Sequence, residues 1–304
     1  MDSKFLLPDG IRIGQADDGN TGVTCILAGR AVGGVCVRGG APGTRETDML
    51  RADKSQGHVD AIVLSGGSAY GLEAACGVAE YLREQGEGFR IGDKVVPLVA
   101  QAILYDLGGD GYHYPDKAMG RRAEQAASTD VVFGRAGAGT GATVGKILGD
   151  KLCSRGGIGG ATLCFGDAFV SAIVAVNALG DVYDHSTGKV LAGARTPDGG
   201  FFDTAARLAD GTLEKLFAAN IVGGTNTTIG CVMTNAALDK AQVNKLAAAA
   251  HDGLAMSIRP VHTDADGDTV FALSKGECKA DLNILMALAA EATACAIENA
   301  VKVG

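Results

Sequence analysis

Several signatures of common protein classes are missing from this sequence of 304 residues. Its eight cysteines and five histidines are dispersed, with no CxxC pair and no HExxH motif, so we expect neither a metal site nor a bound cofactor. Tryptophan is absent, whereas 46 glycines occur in many short clusters rather than in one low-complexity tract. This distribution indicates tight turns in a compact sheet protein without an obvious linker.

Excess positive charge is missing too, because 27 Lys and Arg residues face 35 Asp and Glu residues, and the formal net charge is −8. Nucleic-acid backbones are bound by clustered basic side chains, so we expect no nucleic-acid partner. The N-terminus has no basic region followed by a long apolar core, and no later run approaches a bilayer-spanning length without a charge. We therefore expect a cytoplasmic protein with no membrane partner, whose cysteines are reduced and serve as small buried apolar residues.

Apolar residues make up 47% of the chain, enough for the core of one large layered domain or of two domains. Their periodicity, together with the glycine turns, predicts both strands and helices. We predict strands at residues 61–65, 141–147, 161–165, 168–176, 227–234 and 269–273, and helices at residues 72–86, 239–254 and 281–301. Strands followed by long helices imply sheets covered by helices, hence a layered α/β or α+β sandwich.

Two glycine-rich segments resemble known functional loops but fail at specific positions. Residues 66–70 have Tyr70 where a G-x-S-x-G nucleophile elbow needs glycine. Residues 140–147 resemble a P-loop, but its first glycine would stand at Thr140 and its magnesium-binding serine or threonine at Ile147. Neither chemistry is therefore predicted.

An aspartate-rich loop precedes the predicted strand at residue 269. Asp264, Asp266 and Asp268 alternate as in a calcium loop, but Thr269 and Lys275 stand where such a loop needs glycine and glutamate. An ordinary solvated turn is the simplest alternative. Because the loop leads directly into a strand, it lies at a sheet end, where active-site groups are common. The carboxylates could there orient the protons of a nucleophile.

The most informative segment is Asn226-Thr227, a polar pair at the start of a predicted strand. An enzyme that cuts its own chain before a threonine exposes a residue carrying both nucleophile and base. The hydroxyl attacks a carbonyl, and the new α-amino group, with a reference pKa of about 7.7 to 8.0, accepts the proton near neutral pH. By itself, the pair is no more than a candidate for this chemistry.

Four segments, in the same order along almost the whole chain, resemble the DmpA-like peptidase family. They are residues 64–73 (LSGGSAYGLE), 137–141 (GAGTG), 226–229 (NTTI) and 260–271 (PVHTDADGDTVF). That family contains L-aminopeptidase/D-esterases, β-aminopeptidases and 6-aminohexanoate-oligomer (nylon oligomer) hydrolases. The resemblance implies an α+β fold, a four-layer αββα sandwich of the DmpA-like N-terminal-nucleophile type, and a homo-oligomer.

The resemblance also implies self-cleavage, since members of this family cut themselves before a serine or threonine. The matching bond here joins Asn226 to Thr227. The chain would form a single domain, residues 1–304, in which the pieces 1–226 and 227–304 stay together. Cleavage would switch the enzyme on, because the amine of Thr227 is tied up as a peptide before it.

Further site residues follow from the resemblance. Asp266 and Asp268 match an acidic pair that orients the nucleophile and its amine, against the alternative of a capped turn. Lys146 matches a lysine close to the nucleophile, where a cation lowers an amine pKa or holds the oxyanion. An ordinary solvated lysine is the alternative for Lys146.

Two more residues match family positions. Asn177 matches an asparagine that donates to the tetrahedral intermediate, and a turn-forming asparagine is the competing interpretation. Tyr105 matches a tyrosine that lines the site, against a plain core aromatic residue.

The implied activity is hydrolysis of amide bonds in short peptides or ω-amino acid oligomers, without a cofactor. Aminopeptidase-type members use a serine nucleophile with a serine and a glutamate downstream, whereas this chain has Thr227 with Asp266 and Asp268, closer to the nylon-oligomer hydrolases. The substrate is therefore left open. Two alternatives remain: a self-cleaving acyltransferase similar to the ornithine acetyltransferases, and a non-enzymatic glycine-rich ligand-binding protein.

Overall fold

The fold was obtained as a computed structural model, which describes residues 4–108, 111–207, 211–220 and 225–303. The strands are β1 (Arg12–Asp17), β2 (Gly22–Val37), β3 (Thr44–Arg45), β4 (His58–Ser65), β5 (Phe89–Ile91), β6 (Lys94–Val96), β7 (Val99–Ile103), β8 (Thr143–Val144), β9 (Ser154–Arg155), β10 (Gly157–Phe165), β11 (Ala168–Asn177), β12 (Asp181–Tyr183), β13 (Val190–Ala192), β14 (Thr227–Ala236), β15 (Ile258–Arg259) and β16 (Thr269–Cys278). The α-helices are α1 (Thr47–Leu50), α2 (Ala74–Glu84), α3 (Lys117–Gln125), α4 (Thr212–Asn220), α5 (Lys240–Ser257) and α6 (Leu282–Lys302).

A mixed sheet of nine strands organises the chain, with β1 added to β2 and the order β10-β11-β14-β16-β2-β4-β7-β3. The long strand β2 belongs to both halves of this sheet. Its residues 23–27 and 31–32 pair with β4 and its residues 32–37 pair with β16, with an irregularity in the β4 pairing between Leu27 and Ala31. Arg30, in the irregular stretch, has a left-handed φ of 63°. A bulge of this kind bends a strand, so one strand can serve two packed half-sheets.

The two half-sheets pack face to face and each is covered by helices on its outer side. Ile62 and Leu64 of β4 share one apolar core with Ile173, Ile229 and Phe271 from the other half. Helices α5 and α6 cover the outer face of β11, β14 and β16. Helices α2 and α3 cover the outer face of β2 and β4. These four layers confirm the predicted αββα sandwich.

The two long C-terminal helices begin where the sequence predicts. At α5, Gln242 N donates to Asp239 Oδ1 at 2.8 Å, and Asp239 N donates to Gln242 Oε1 at 2.9 Å, which is a capping box. At α6, Asp281 caps the helix by accepting from Asn283 N at 2.8 Å. Among the described residues, α6 is the one helix long and apolar enough to suit a membrane span. It packs here against β10, β11 and α5 as a core helix.

Two expectations are wrong. Residues 141–147 are not a strand: only Thr143–Val144 pair with β9, and a 3₁₀ turn follows at Lys146–Leu148. Only Cys25 and Cys231 are buried among the eight cysteines, while Cys164 is exposed and the others are half-buried. The other predicted strands and helices are present, and the structure adds elements that were not predicted, among them β1, β2, β7 and α3.

The topology brings three chain segments to one edge of the sheet. β11 and β14 are antiparallel, so Asn177 at the end of β11 pairs with Thr227 at the start of β14. β14 and β16 are parallel, so the loop before β16 lies at the same edge, where Asn226 forms an isolated bridge with Asp266. The antiparallel neighbour β11 thus places Asn177 on one side of Thr227, and the parallel neighbour β16 places the acidic loop on the other side.

Candidate functional site

The peptide bond between Asn226 and Thr227 lies in a buried environment. Thr227 is 2% exposed and Asn226 is 1% exposed. The Thr227 hydroxyl donates to the carbonyl oxygen of Asn226 at 2.5 Å. Gly267 N donates to the same carbonyl oxygen at 2.9 Å. The Asn226 carbonyl oxygen therefore accepts from the hydroxyl of the next residue and from a backbone N–H.

The acidic loop supports this bond from the side of β16. Asp268 Oδ1 accepts at 2.7 Å from the backbone N–H of Thr228, the residue directly after Thr227. Its Oδ2 accepts from His262 Nδ1 at 2.8 Å and from His262 N at 3.1 Å. Asp268 thus fixes the start of β14, and His262 fixes Asp268.

Asp266 has a different environment. Its Oδ2 accepts from Thr263 N at 2.9 Å and from Thr263 Oγ1 at 2.5 Å, so it does cap a turn, as the simpler interpretation proposed. Burial and the nearby Asp268 carboxylate raise the pKa of Asp266 to about 6. Asp264 is exposed while Asp266 and Asp268 are buried, so the three carboxylates do not converge as calcium ligands.

The predicted lysine and asparagine lie together on the β11 side. Lys146 Nζ donates to Asn177 Oδ1 at 2.9 Å, to Asn177 O at 3.0 Å and to Thr225 O at 3.0 Å. Asn177 Nδ2 donates to Thr225 O at 3.3 Å and to Tyr105 O at 2.8 Å. Asn177 is a strand residue and not a turn former, and Lys146, at 7% exposure, is not a solvated lysine.

The local backbone explains why Lys146 points inward. Gly145, directly before it, has a left-handed φ of 73°, and a Cβ there would lie 2.0 Å from Ala194 N. Only glycine suits this position. Burial lowers the pKa of Lys146 to about 8, so a fraction of the ammonium groups loses its proton slightly above neutral pH.

A cavity of about 430 Å³ opens beside this group. Its lining consists of Tyr105, Asp106, Leu107, Gly108, Gly141, Thr143, Lys146, Asp150, Cys153 and Thr225. Burial raises the pKa of Asp106 to about 6. The lining includes Lys146 and Thr225 but not Thr227. A second cavity, of about 780 Å³ near Arg12 and Arg90, contains none of the predicted site residues.

The six predicted residues are therefore connected, although their catalytic roles stay predictions. Thr227, Asn177 and Lys146 form one group, and Asp266 and Asp268 flank it. Tyr105 contacts this group through its backbone carbonyl, which accepts from Asn177 Nδ2, and it also lines the cavity.

Sequence reasoning missed three contributors. Gly267 and His262 lie in a segment that resembles the family, but nothing in their residue type signals contact with Thr227 or Asp268. Residues 38–41 hold the acidic loop through backbone bonds, such as Ala41 N to Asp266 O at 2.8 Å and Arg38 N to Asp268 O at 3.0 Å. No spacing in the sequence connects segments this far apart.

One group of metal-ligating side chains lies together within the described ranges. His185, Glu291 and Cys295 place one ligand atom each within 4.8 Å of one another. The imidazole of His185 is already hydrogen-bonded on both sides, to Glu291 at 2.7 Å and to Glu298. These bonds tie the His185 loop to α6, which accounts for the cluster without an ion.

Comparison with known proteins identifies the family. The sequence profile of peptidase family S58 matches residues 9–303. The chain belongs to this family. An uncharacterised aminopeptidase of Mycobacterium tuberculosis is 42% identical over 268 residues, which are 84% of this chain and 73% of that protein. A 6-aminohexanoate-oligomer endohydrolase of Paenarthrobacter ureafaciens is 36% identical over 282 residues, 90% of this chain and 75% of that protein.

The fold agrees with the S58 assignment. The solved structure of the L-aminopeptidase D-Ala-esterase/amidase of Ochrobactrum anthropi, described as a variant of the Ntn-hydrolase fold, matches with a TM-score of 0.70 at 18% identity. The match covers 96% of this chain and 84% of that one. The family prediction and the expectation of an amide hydrolase are thus confirmed.

Proposed function

We propose that this S58 peptidase is a self-processing N-terminal-nucleophile hydrolase whose nucleophile is Thr227. The observation that carries the proposal is the pair of hydrogen bonds at the Asn226 carbonyl, from the Thr227 hydroxyl at 2.5 Å and from Gly267 N at 2.9 Å. The hydroxyl already contacts the peptide group that it must attack.

In the self-cleavage step, a bond forms between Thr227 Oγ1 and the carbonyl carbon of Asn226, and the C–N bond to Thr227 breaks. The hydroxyl proton ends on the departing nitrogen, which becomes the α-amino group. Water then hydrolyses the resulting ester and leaves a carboxylate on Asn226. This N-to-O shift needs no cofactor and produces nucleophile and base together.

In turnover, the freed α-amino group of Thr227 accepts the proton of its own hydroxyl as the hydroxyl attacks a substrate amide. The Lys146 ammonium, buried beside the ladder partner of Thr227, disfavours protonation of that amine. The acyl-enzyme on Thr227 is then hydrolysed by water.

We propose short peptides or ω-amino acid oligomers as substrates. The relatives named aminopeptidase and 6-aminohexanoate-oligomer endohydrolase support this class. The carboxylates of Asp106 and Asp150 in the cavity lining suit a substrate with a free ammonium group. Membership in a peptidase family argues against the non-enzymatic alternative, and hydrolysis without an added amine would exclude the acyltransferase. A cytoplasmic homo-oligomer, residues 1–304 forming a single domain, remains part of this proposal.

The test is the size of the purified protein on a denaturing gel, with two matched variants. The wild type is expected to yield two chains, the smaller one of about 8 kDa, because Thr227 supplies the nucleophile. Thr227→Ala should remain one chain of 30.7 kDa. Thr228→Val, which removes the neighbouring hydroxyl, should still cleave. Cleavage of the Thr227→Ala chain would contradict the proposed nucleophile.

A substrate panel then separates the branches of the family. Aminoacyl, β-aminoacyl and 6-aminohexanoyl amides should be compared by kcat/KM with cleaved wild-type protein. Hydrolysis of any of them by cleaved protein, and of none by Thr227→Ala, supports the proposed activity. Equal rates for both proteins would refute it.

A further inference from the structure

We infer that the backbone N–H of Gly267 stabilises the oxyanion of self-cleavage, at a place separate from Asn177 and Lys146, which the family resemblance implies as the donors for the substrate reaction. This inference rests on the proposed function and deepens it. It assigns a catalytic role to a glycine whose side chain offers no chemistry.

Gly267 N is the backbone donor to the bond to be cut. It lies 2.9 Å from the Asn226 carbonyl oxygen, the atom on which negative charge develops when the carbonyl carbon is attacked. Its position is fixed from both sides, since Ala41 N donates to Asp266 O at 2.8 Å and Gly39 N donates to Asp268 O at 3.2 Å. A donor held in advance costs no reorganisation during the reaction.

The position requires glycine for steric reasons. A Cβ on residue 267 would lie 2.8 Å from Thr227 Oγ1 and 2.9 Å from Ala41 O. Any side chain would therefore push the nucleophile away from the carbonyl. The close approach of this backbone to Thr227 is what lets its N–H reach the carbonyl.

Asn177 and Lys146 hold a different carbonyl. Asn177 Nδ2 and Lys146 Nζ both donate to Thr225 O, at 3.3 Å and 3.0 Å, one residue before the carbonyl that is cut. Once residues 225 and 226 move away after cleavage, these two buried donors lose that acceptor. Asn177 Nδ2 is still held by Tyr105 O and Lys146 Nζ by Asn177 Oδ1, so both groups stay in position to donate to a substrate carbonyl oxygen in place of Thr225 O. The Thr225 carbonyl thus stands in for a substrate.

The two donor sets lie on opposite flanks of Thr227. Asn177 is its ladder partner on β11, whereas Gly267 follows Asp266, which bridges to Asn226 on the β16 side. The negative charge therefore develops toward β16 when the chain cuts itself and toward β11 when it cuts a substrate.

The test deletes each donor separately in the full-length chain. Glycolic acid at position 267, introduced by cell-free translation, replaces the N–H with an ester oxygen and adds no Cβ. The same replacement at Gly134, whose N–H donates to Ile158 O at 2.7 Å, controls for the loss of one backbone hydrogen bond. Asn177→Ala removes the side-chain donor. Self-cleavage is followed on gels after a translation pulse, and hydrolysis is normalised to the cleaved fraction.

The two changes should have opposite profiles. The ester at 267 should slow self-cleavage by about 10² to 10³ while hydrolysis per cleaved chain changes by less than about tenfold. Asn177→Ala should slow hydrolysis by about 10² to 10³ and self-cleavage by less than about tenfold. Cleavage of the 267 ester at the rate of the Gly134 control would refute the role of Gly267. Parallel losses in both reactions would indicate one shared oxyanion site. A wild type that never cleaves would instead refute the proposed function.

Discussion

Replacing Lys146 with methionine should change the pH dependence of stability. Its ammonium is buried, and burial lowers its pKa from 10.5 to about 8. One pKa unit corresponds to about 1.4 kcal/mol, so keeping this cation buried costs roughly 3 kcal/mol relative to an exposed lysine. Methionine has a similar length and no charge, so the variant avoids that cost.

The sign follows from proton binding. Below about pH 8 both states carry the proton and the cost is fully present. Between about pH 8 and 10.5 the unfolded chain retains a proton that the folded chain has lost, so the free energy of unfolding rises with pH. Lys146→Met lacks this rise. The variant also loses the three hydrogen bonds of Lys146 to Asn177 and Thr225. This loss changes the size of the stability difference between variant and parent below pH 8, but not the direction in which that difference changes with pH.

The assay is urea denaturation followed by circular dichroism at pH 7, 8, 9 and 10, in a Thr227→Ala background that should keep the chain uncut. The unfolding free energy of Lys146→Met minus that of its parent should fall by roughly 2.5 kcal/mol from pH 7 to pH 10. Lys245→Met, at an exposed position on α5, should show a constant difference. A constant difference for Lys146→Met as well would refute the burial of a charged lysine.

Three further predictions concern the acidic loop. The pKa of Asp266 is raised to about 6, so its charge lowers the free energy of unfolding above pH 6 and not below pH 4. Asp266→Asn should therefore reduce the loss of stability that the parent shows between pH 4 and 6 in urea denaturation. An unchanged dependence of stability on pH would contradict this. His262→Ala removes the side-chain donor to Asp268 but keeps the backbone one, and it should lower kcat. His262→Asn should restore much of kcat, because asparagine accepts the left-handed φ of 57° and can donate from the same place. Equal losses of kcat in both variants would contradict a positioning role for His262. Gly39→Ala places a Cβ 2.3 Å from Asp266 O and Asp268 N, whereas the Cβ of Gly57→Ala meets nothing within 4 Å. Only Gly39→Ala should therefore slow self-cleavage and lower the free energy of unfolding, by about 1 to 3 kcal/mol. Equal melting temperatures and equal cleavage rates in the two variants would contradict this.

The elements that sequence predicts well are those whose signals are local. The capping residues Asp239 and Asp281 and the apolar face of α6 specify their helices without reference to distant residues. The strand predicted at residues 141–147 failed because an apolar run rich in glycine also suits an irregular segment. There, Gly145 adopts a left-handed φ so that Lys146 can turn inward.

The site divides in the same way. Thr227, Asp266 and Asp268 belong to motifs that can be read along the chain. The backbone hydrogen bonds from residues 38–41 to the acidic loop depend on strand order, because β2 neighbours β16 in the sheet. The role of Gly267 depends on a backbone N–H, which every residue except proline has. Residue type therefore carries no signal for either contribution.

The most direct test of the central claim is the N-terminal sequence of the smaller chain after cleavage. If Thr227 cuts the bond before itself, that sequence begins Thr-Thr-Ile-Gly, residues 227–230. The amount of this new N-terminus should then increase in parallel with the rate of amide hydrolysis. A chain that stays intact while hydrolysing amides, or a new terminus at any other residue, would contradict the account.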